Sequence, residues 1–229
     1  MYTLFHCPGT CSLASLIALE YAGADYTVHK VDLSRNEQRS PDFLALNPNG
    51  RVPALKSGRG VLTETPAILL YIAQSYPAAG LAPLDDPFAL AQVQAFNSYI
   101  CSTLHVAHAH RFRGSRWADD PAAIEAMQRK VPQSVGACFA LIEAQLRPDA
   151  WVFGDRPGIS DFYLFTVAQW LEGDGVDPSA YPKLIAHRER VRALPAAQKA
   201  LAIGWLGGLF ADPPADPSSH HANAPQAVS

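Results

Sequence analysis

The sequence predicts an α/β plus all-α fold, in which a small mixed α/β domain is followed by a helical bundle. Strand-like and helical segments alternate through roughly the first eighty residues, whereas only helical patterns follow Asp86-Pro87. The breaker-rich stretch Tyr76-Pro77-Ala78-Ala79-Gly80 separates the two patterns. We therefore expect a first domain over residues 1–78, a linker over 79–86 and a helical domain over 87–211.

The first domain has the element order β-α-β, an irregular segment, then β-β-α. Tyr26–Val31 is rich in strand formers, and Ser57-Gly58-Arg59-Gly60 is typical of a hairpin turn. Thr65 followed by Pro66 predicts a helix with Thr65 as its N-cap. The remaining predicted elements are strands over 2–6, 52–56 and 61–63 and helices over 11–22 and 66–75.

The helical domain has two Asp-Pro start signals, Asp86-Pro87 and Asp120-Pro121. We expect Pro132 to kink or split the helix that the second signal begins. Residues 159–171 are almost wholly apolar, which predicts a buried helix. Another helix follows Tyr181-Pro182, and residues 212–229, with four prolines and no apolar period, are predicted to be disordered.

Composition excludes several classes of protein. The 229 residues are 48% hydrophobic and 17% charged, with a net charge of −3, which is typical of a globular protein without the positive field of a nucleic-acid binder. One small basic group, Arg111, Arg113 and Arg116, does not change that interpretation. No apolar run approaches the roughly 18–20 residues of a membrane span, and the N-terminus lacks the pattern of an export signal. Four cysteines are too few for a disulfide scaffold, so we expect free thiols in the cytoplasm.

Cys11 is the strongest candidate for chemistry. It follows a strand and a Pro-Gly-Thr turn at the first turn of a helix, where free N–H groups and the helix dipole favour a thiolate. The sequence therefore predicts a lowered pKa for the Cys11 thiol. A small buried cysteine that only fills space near a helix start is the alternative. Cys7 lies four residues earlier, which is not the spacing of a disulfide oxidoreductase, and a packing role is expected for it.

Two further segments suggest binding. Val52-Pro53 places a proline near a strand start, which is either a local feature or a cis proline that exposes the Val52 backbone to an extended ligand. Glu64 and Thr65 offer an anion for an amine and a helix start for a carboxylate, as the zwitterionic end of an amino acid requires. An ordinary capped helix is the alternative.

Cys101, His105 and His108 fall on one helix face, a spacing that can ligate zinc. The sequence shows no fourth ligand, so we expect no metal and interpret His105 as a residue that faces a cleft from the helical domain.

Four ordered segments resemble those of bacterial beta-class glutathione transferases, over about residues 2–205. They are Pro8-Gly9-Thr10-Cys11-Ser12-Leu13-Ala14-Ser15, Asn47-Pro48-Asn49-Gly50-Arg51-Val52-Pro53-Ala54-Leu55, Leu62-Thr63-Glu64-Thr65-Pro66-Ala67-Ile68 and Asp155-Arg156-Pro157-Gly158-Ile159-Ser160-Asp161. The resemblance implies a thioredoxin-like N-terminal domain, a C-terminal helical bundle, a homodimer and glutathione as co-substrate.

The resemblance also implies a role for each matching residue. Cys11 would contact or bond the glutathione sulfur, the Val52 backbone beside Pro53 would pair with the cysteinyl part, and Glu64 and Thr65 would hold the γ-glutamyl end. His105 would reach in from the first long helix of the helical domain.

This chain departs from the family pattern at four places. Phe5-His6 replaces an aromatic-hydroxyl step, so no tyrosine is expected near the sulfur. Asn36 stands where a lysine often contacts the glycyl carboxylate, and Arg35 is a substitute. Ser98 occupies the place of an asparagine, with Asn97 beside it. Gly158 replaces a Ser or Thr cap, which costs a few tenths of a kcal/mol.

The leading hypothesis is a cytosolic glutathione transferase that conjugates glutathione to a small hydrophobic electrophile, with thiol-disulfide exchange through Cys11 as a further activity. A non-catalytic protein of the same fold is a second reading, since fold does not fix function. A glutathione-dependent isomerase or dehalogenase is a third; its electrophile pocket would lie near His105, His108, Phe112 and Trp117.

Overall fold

The computed structural model describes residues 1–204, so the predicted tail over 212–229 lies outside the described residues. The N-terminal part holds a four-stranded sheet of order β2-β1-β3-β4, in which β1 and β2 are parallel and the other pairs are antiparallel. The strands are β1 (Tyr2–His6), β2 (Tyr26–Lys30), β3 (Ala54–Ser57) and β4 (Gly60–Thr63). The mixed α/β domain is thus as predicted.

Three helices accompany the sheet: α1 (Ser12–Tyr21), α2 (Pro41–Leu46) and α3 (Thr65–Ser75). The sequence analysis missed α2, although Ser40 caps it by accepting a hydrogen bond from the Phe43 N–H at 3.2 Å and Pro41 occupies its first position. Residues 12–19 of α1 are all buried, because α1 packs on the sheet domain and also on the helical domain. Helix α1 is therefore a core helix shared by both parts.

The helical part contains α4 (Pro87–Tyr99), α5 (His105–Arg113), α6 (Pro121–Gln145), α7 (Ile159–Ala168), α8 (Pro182–Arg192) and α9 (Pro195–Gly204). Both Asp-Pro signals are confirmed, since Asp86 accepts from the N–H groups of Phe88 and Ala89 and Asp120 accepts from that of Ala122. A π-helical turn, Ile100–Leu104, joins α4 to α5.

Pro132 does not split its helix, contrary to one of the two expected outcomes. Helix α6 runs unbroken through it over 25 residues. Val131, Val135, Phe139 and Ile142 are buried along the core-facing side of α6, and this packing outweighs the hydrogen bond that proline removes.

Helix α7 is the buried helix that the sequence predicts, and all ten of its residues are buried. The Asp161 carboxylate holds its start: one oxygen accepts from the Val152 N–H and from His187 Nε2, both at 2.8 Å, and the other accepts from the Gly158 N–H at 2.8 Å. Gly158 allows a close approach, since a β-carbon there would lie 2.8 Å from the Leu81 carbonyl oxygen. Gly158 lacks a capping side chain, and close packing of its backbone against Leu81 compensates for this loss.

We predict that Asp161→Ala lowers the free energy of unfolding by about 3 kcal/mol, because it leaves the buried His187 ring and two partly buried backbone N–H groups without their acceptor. Urea denaturation measures the loss. Asp177→Ala is the control: this exposed carboxylate caps a short turn at Ser179, and its removal should cost about 1 kcal/mol. Equal losses in the two variants would contradict the role given to Asp161.

His6 ends β1 in the core and is fully buried. Its Nδ1 lies 2.7 Å from the Ser12 hydroxyl, and among residues 1–204 its Nε2 has no hydrogen-bond partner. Burial, with a smaller contribution from Lys30, lowers the pKa of His6 to about 4. The ring is therefore neutral at pH 7.

Because the unfolded chain takes up this proton near pH 6.5 and the folded chain only near pH 4, the stability contribution is present above pH 6.5 and is lost as the pH falls towards 4. We predict that His6→Asn, which keeps an acceptor for Ser12, reduces this acid-induced loss by about 3 kcal/mol. Urea midpoints between pH 7 and pH 4 test it. His29→Asn, at a half-exposed ring on β2, is the control. Parallel pH profiles for wild type and His6→Asn would refute the assignment.

Candidate functional site

A cleft of about 380 Å³ lies between the sheet domain and the helical domain. Six of the nine predicted site residues line it, and they come from both domains. They are Cys11, Val52, Pro53, Glu64, Thr65 and His105. The topology thus brings together segments that are far apart in the sequence.

Cys11 is the N-cap residue of α1 and is only 8% exposed. Its Sγ is 3.6 Å from the Val52 carbonyl oxygen, to which the thiol donates a weak hydrogen bond. Burial raises the pKa of the Cys11 thiol, although hydrogen bonding with Thr65 and the charge of Arg113 lower it in part. The predicted lowering is therefore wrong: the cost of removing a thiolate from water exceeds the help of the helix terminus.

The Val52–Pro53 peptide bond is cis, as the second of the two readings of this segment requires. The buried Asn47 side chain fixes the preceding turn by donating to the Arg51 carbonyl at 2.7 Å and accepting from the Asn49 N–H at 3.1 Å. Strand pairing begins only at Ala54, opposite Phe5, which leaves Val52 beyond the sheet ladder and at the cleft wall.

Glu64 and Thr65 lie where β4 turns into α3. The Glu64 carbonyl accepts the first helical hydrogen bond, from the Ile68 N–H at 3.0 Å, which makes Glu64 the N-cap and Thr65 the first helical residue. The expected N-cap role of Thr65 is thus corrected by one position. Glu64 has φ of 68°, a conformation that costs a non-glycine residue about 1–3 kcal/mol and is typical of functional sites. Thr65 is buried against Cys11 and Glu64 is exposed in the cleft.

His105 lines the opposite wall at the start of α5. Burial lowers its pKa to about 3, with further lowering by His108 and Arg113, so its imidazole is neutral at pH 7. The Trp170 ring lies 5.1 Å from the His105 ring and stacks on His108 at 4.2 Å. Trp170 also donates from Nε1 to the Gly9 carbonyl at 3.0 Å and thereby ties the helical domain to the loop before Cys11.

Tyr163 is a site residue that the sequence analysis missed. It lines the cleft from α7, and burial raises its pKa, as do the thiols of Cys11 and Cys101. The expectation that no tyrosine lies near the sulfur is therefore wrong, because the phenol comes from the other domain. Within the apolar run of α7, this tyrosine had no local signal that distinguished it from core residues.

Arg35, Asn36 and Ser98 are predicted binding residues that the structure does not place in the cleft. Asp32 Oδ1 accepts from the N–H groups of Ser34 and Arg35 and holds this loop, with Arg35 and Asn36 exposed to solvent. The following turn brings Gln38 and Arg39 to the cleft instead.

Ser98 is exposed on α4, while its neighbour Asn97 is buried and accepts from the Ser160 hydroxyl at 3.0 Å. The helical period turns Val93, Asn97 and Ile100 towards the core, and position 98 falls outside this face. The asparagine beside Ser98 therefore has a structural role, and Ser98 has none in the cleft.

Cys101, His105 and His108 all line the cleft, but His108 Nδ1 is engaged by the buried Asp174 carboxylate at 2.7 Å. Over residues 1–204, the structure has no group of three or more His, Cys, Asp or Glu side chains arranged to hold a metal ion. Nor is any helix in this range long and apolar enough to cross a membrane.

Cys7 packs in the small core beside Phe5, Val31 and Phe43, and it is a free thiol like Cys11. Its Sγ lies near the Pro8 carbonyl oxygen at 3.6 Å. This placement agrees with the packing role expected for it.

We predict that the raised pKa makes Cys11 a slow target for iodoacetamide at pH 7, since the thiolate is the reacting form. The rate at Cys11, followed by peptide mass analysis in the folded protein, should still be rising at pH 9. Urea-unfolded protein gives the reference rate for the same thiol. A plateau near pH 7 would show a stabilised thiolate and contradict the structure's account of this site.

Known proteins are similar to this chain in sequence and in fold. Sequence models of the glutathione S-transferase N-terminal and C-terminal domains match residues 1–74 and 121–190. The chain is 34% identical to the glutathione S-transferase GstA of Escherichia coli O157:H7, over 89% of this chain and 98% of that protein. It is 33% identical to a maleylacetoacetate isomerase of Pseudomonas aeruginosa, over 87% and 94% of the two chains.

Among solved structures, a glutathione transferase homologue from Sulfitobacter with bound glutathione superposes with a TM-score of 0.86. The two are 43% identical, over 90% of this chain and 99% of that one. The predicted pairing of a thioredoxin-like N-terminal domain with a C-terminal helical domain is thereby confirmed. This chain belongs to the glutathione S-transferase family.

Proposed function

We propose that this protein is a glutathione transferase that joins the glutathione sulfur to a small hydrophobic electrophile. The observation that carries the proposal is the convergence of Cys11, Val52, Glu64 and Thr65 on one wall of an interdomain cleft. The bound glutathione of the Sulfitobacter homologue supports the same ligand here.

Each part of glutathione has a matching group in the cleft. The Glu64 carboxylate suits the γ-glutamyl ammonium, and the Thr65 hydroxyl at the start of α3 suits the γ-glutamyl carboxylate. The Val52 backbone lies beyond the β3 ladder, and its carbonyl exchanges the weak hydrogen bond from Cys11 for pairing with the extended cysteinyl unit. The glutathione sulfur then lies near Cys11.

Cys11 acts on that sulfur as a hydrogen-bond donor once its S–H turns from the Val52 carbonyl to the bound ligand. Because burial keeps Cys11 protonated, its S–H stabilises the glutathione thiolate instead of competing with it as a nucleophile. The Tyr163 hydroxyl, also protonated, is a second donor and comes from α7 in the helical domain. The thiolate attacks the electrophilic carbon, a C–S bond forms, and the leaving group departs with the bonding electron pair.

The helical wall receives the electrophile. His105, Val106 and Trp117 line this side of the cleft, and His105 is neutral. A neutral imidazole positions a substrate or accepts a proton without adding charge beside the sulfur.

A glutathione-dependent isomerase is the second candidate, and the likeness to a maleylacetoacetate isomerase supports it. Such an enzyme would use the same glutathione wall, and the sulfur would add reversibly to a double bond.

We also propose that the protein belongs to the beta class, lies in the cytoplasm and forms a homodimer, because the family resemblance implies all three.

The test is conjugation of 1-chloro-2,4-dinitrobenzene by the purified chain, with Cys11→Ala and Cys11→Ser. We expect saturable turnover. Loss of the donor in Cys11→Ala should raise the pKa seen in the pH profile of kcat/KM by about 1 unit, while Cys11→Ser shifts it less. Cys138→Ala, a buried thiol on α6, should leave the profile unchanged.

Three results would overturn the proposal. Glutathione binding without turnover of any electrophile would favour a non-catalytic protein. Loss of all activity in Cys11→Ala, with a glutathione adduct mapped to Cys11 after exposure to oxidised glutathione, would favour thiol-disulfide exchange. Absence of glutathione binding by calorimetry would remove the glutathione site itself.

A further inference from the structure

Four arginines face one another across the cleft. Arg39 lies in the turn Glu37–Arg39, Arg51 precedes the Val52–Pro53 bond, Arg113 ends α5 and Arg116 lies in the turn Gly114–Arg116. Burial, followed by the charges of Arg113, Arg51 and Arg39, lowers the pKa of Arg116 to about 10. The four guanidinium groups thus place like charges around one cleft.

Acidic side chains do not neutralise this group. Within the described range, Glu64 is the sole acidic residue that lines the cleft, and the ion pairs of residues 1–204 include none of the four arginines. Arg111, the other basic residue of this segment, is held by Asp174 at 3.4 Å. Four like charges held together without counter-charges destabilise a fold, so their grouping points to an anionic ligand.

Glutathione alone does not supply enough negative charge. It carries two carboxylates, one ammonium and, in its reactive form, a thiolate. One carboxylate is assigned to Thr65, the ammonium to Glu64 and the thiolate to the donors Cys11 and Tyr163. This step rests on the proposed function. The glycyl carboxylate then pairs with Arg39 or Arg51, which lie on the glutathione-binding domain, and Arg113 and Arg116 on the opposite wall stay unneutralised.

Close packing on α6 fixes the turn between Arg113 and Arg116. Gly114 between them is buried, and a β-carbon there would lie 2.8 Å from Ile124 Cγ2, so the turn approaches α6 closely. Trp117 follows, 47% exposed, with its ring 4.5 Å from that of His110. An apolar aromatic surface therefore adjoins two guanidinium groups on the wall that faces the glutathione sulfur.

We propose that Arg113 and Arg116 bind an anionic group on the second substrate, with Trp117 against its flat apolar part. The substrate class is thus a small unsaturated or aromatic electrophile that bears a carboxylate. Planar guanidinium groups suit a carboxylate because two N–H donors can reach its two oxygens.

The experiment compares two glutathione conjugates that differ by one charge, S-(4-carboxybenzyl)glutathione and S-benzylglutathione. Their Kd values are measured by calorimetry on the full chain, which requires no turnover. We expect wild type to prefer the carboxylated conjugate about tenfold, since a hydrogen bond between charged groups contributes that much. The preference should weaken as salt is raised.

The variants are Arg113→Gln, Arg116→Gln and the double change. We expect the double variant to lose the preference while its Kd for S-benzylglutathione stays within twofold. Arg113→Lys with Arg116→Lys should restore part of the preference through charge alone. Arg129→Gln, an exposed arginine paired with Glu125 on α6, is the matched control and should behave as wild type.

The outcomes separate this inference from the proposed function. Equal affinity of wild type for the two conjugates would refute the anionic site and leave the glutathione site intact. An equal loss for both conjugates in the double variant would assign the arginines to glutathione itself. Failure of wild type to bind either conjugate would overturn the proposed function, and this inference with it.

Discussion

The packing of α1 against α7 is the contact on which the rest of the molecule depends. Both helices are buried over almost their whole length, α1 by the sheet on one side and by α7 on the other. Cys11 lies at the start of α1, and Tyr163 lies within α7. The distance between the thiol and the phenol is thus set by core packing, which is the least deformable part of a protein. The site needs no flexible loop to bring its two walls together.

The same packing sets the protonation states of the groups near the sulfur position. Groups close to the sulfur position are uncharged at neutral pH, because burial raises the pKa of Cys11 and Tyr163 and lowers that of His105. Charged groups line the same cleft, with Glu64 on one wall and Arg113 and Arg116 on the other. A low-dielectric centre strengthens hydrogen bonds to a bound thiolate, and the charged side chains would orient the rest of the ligands.

The features that the sequence could predict are those that depend on residues a few positions apart in the chain. Asp86 and Asp120 begin helices because a carboxylate before a proline satisfies free N–H groups wherever it occurs. The turn at Asn47 and the start of α3 depend in the same way on residues within a few positions of each other. The overlooked α2 carries the same kind of signal at Ser40-Pro41, in a segment too short to show a hydrophobic period.

Features set by distant residues were beyond such reasoning. The pKa of Cys11 depends on burial beneath a second domain, which outweighs the helix terminus visible in the sequence. Arg39 lines the cleft and Arg35 does not, because Asp32 holds the loop that carries Arg35. Helix α6 continues through Pro132 because tertiary contacts hold the helix on both sides of the proline. Tyr163 is the clearest case, because its hydroxyl comes near the Cys11 thiol only through the packing of α7 against α1.

The two walls of the cleft differ in what can change without loss of the fold. The glutathione wall uses backbone atoms at Val52 and the start of α3, positions tied to the sheet and to helix geometry. The opposite wall uses side chains at the end of α5 and in the turn after it, where only Gly114 is constrained by close packing. On the proposed assignment, substitution at Arg113, Arg116 or Trp117 would alter the second substrate while the thiol site is kept. One scaffold could then serve conjugation and isomerisation, with the arginines of this chain as the part of the site that distinguishes among electrophiles.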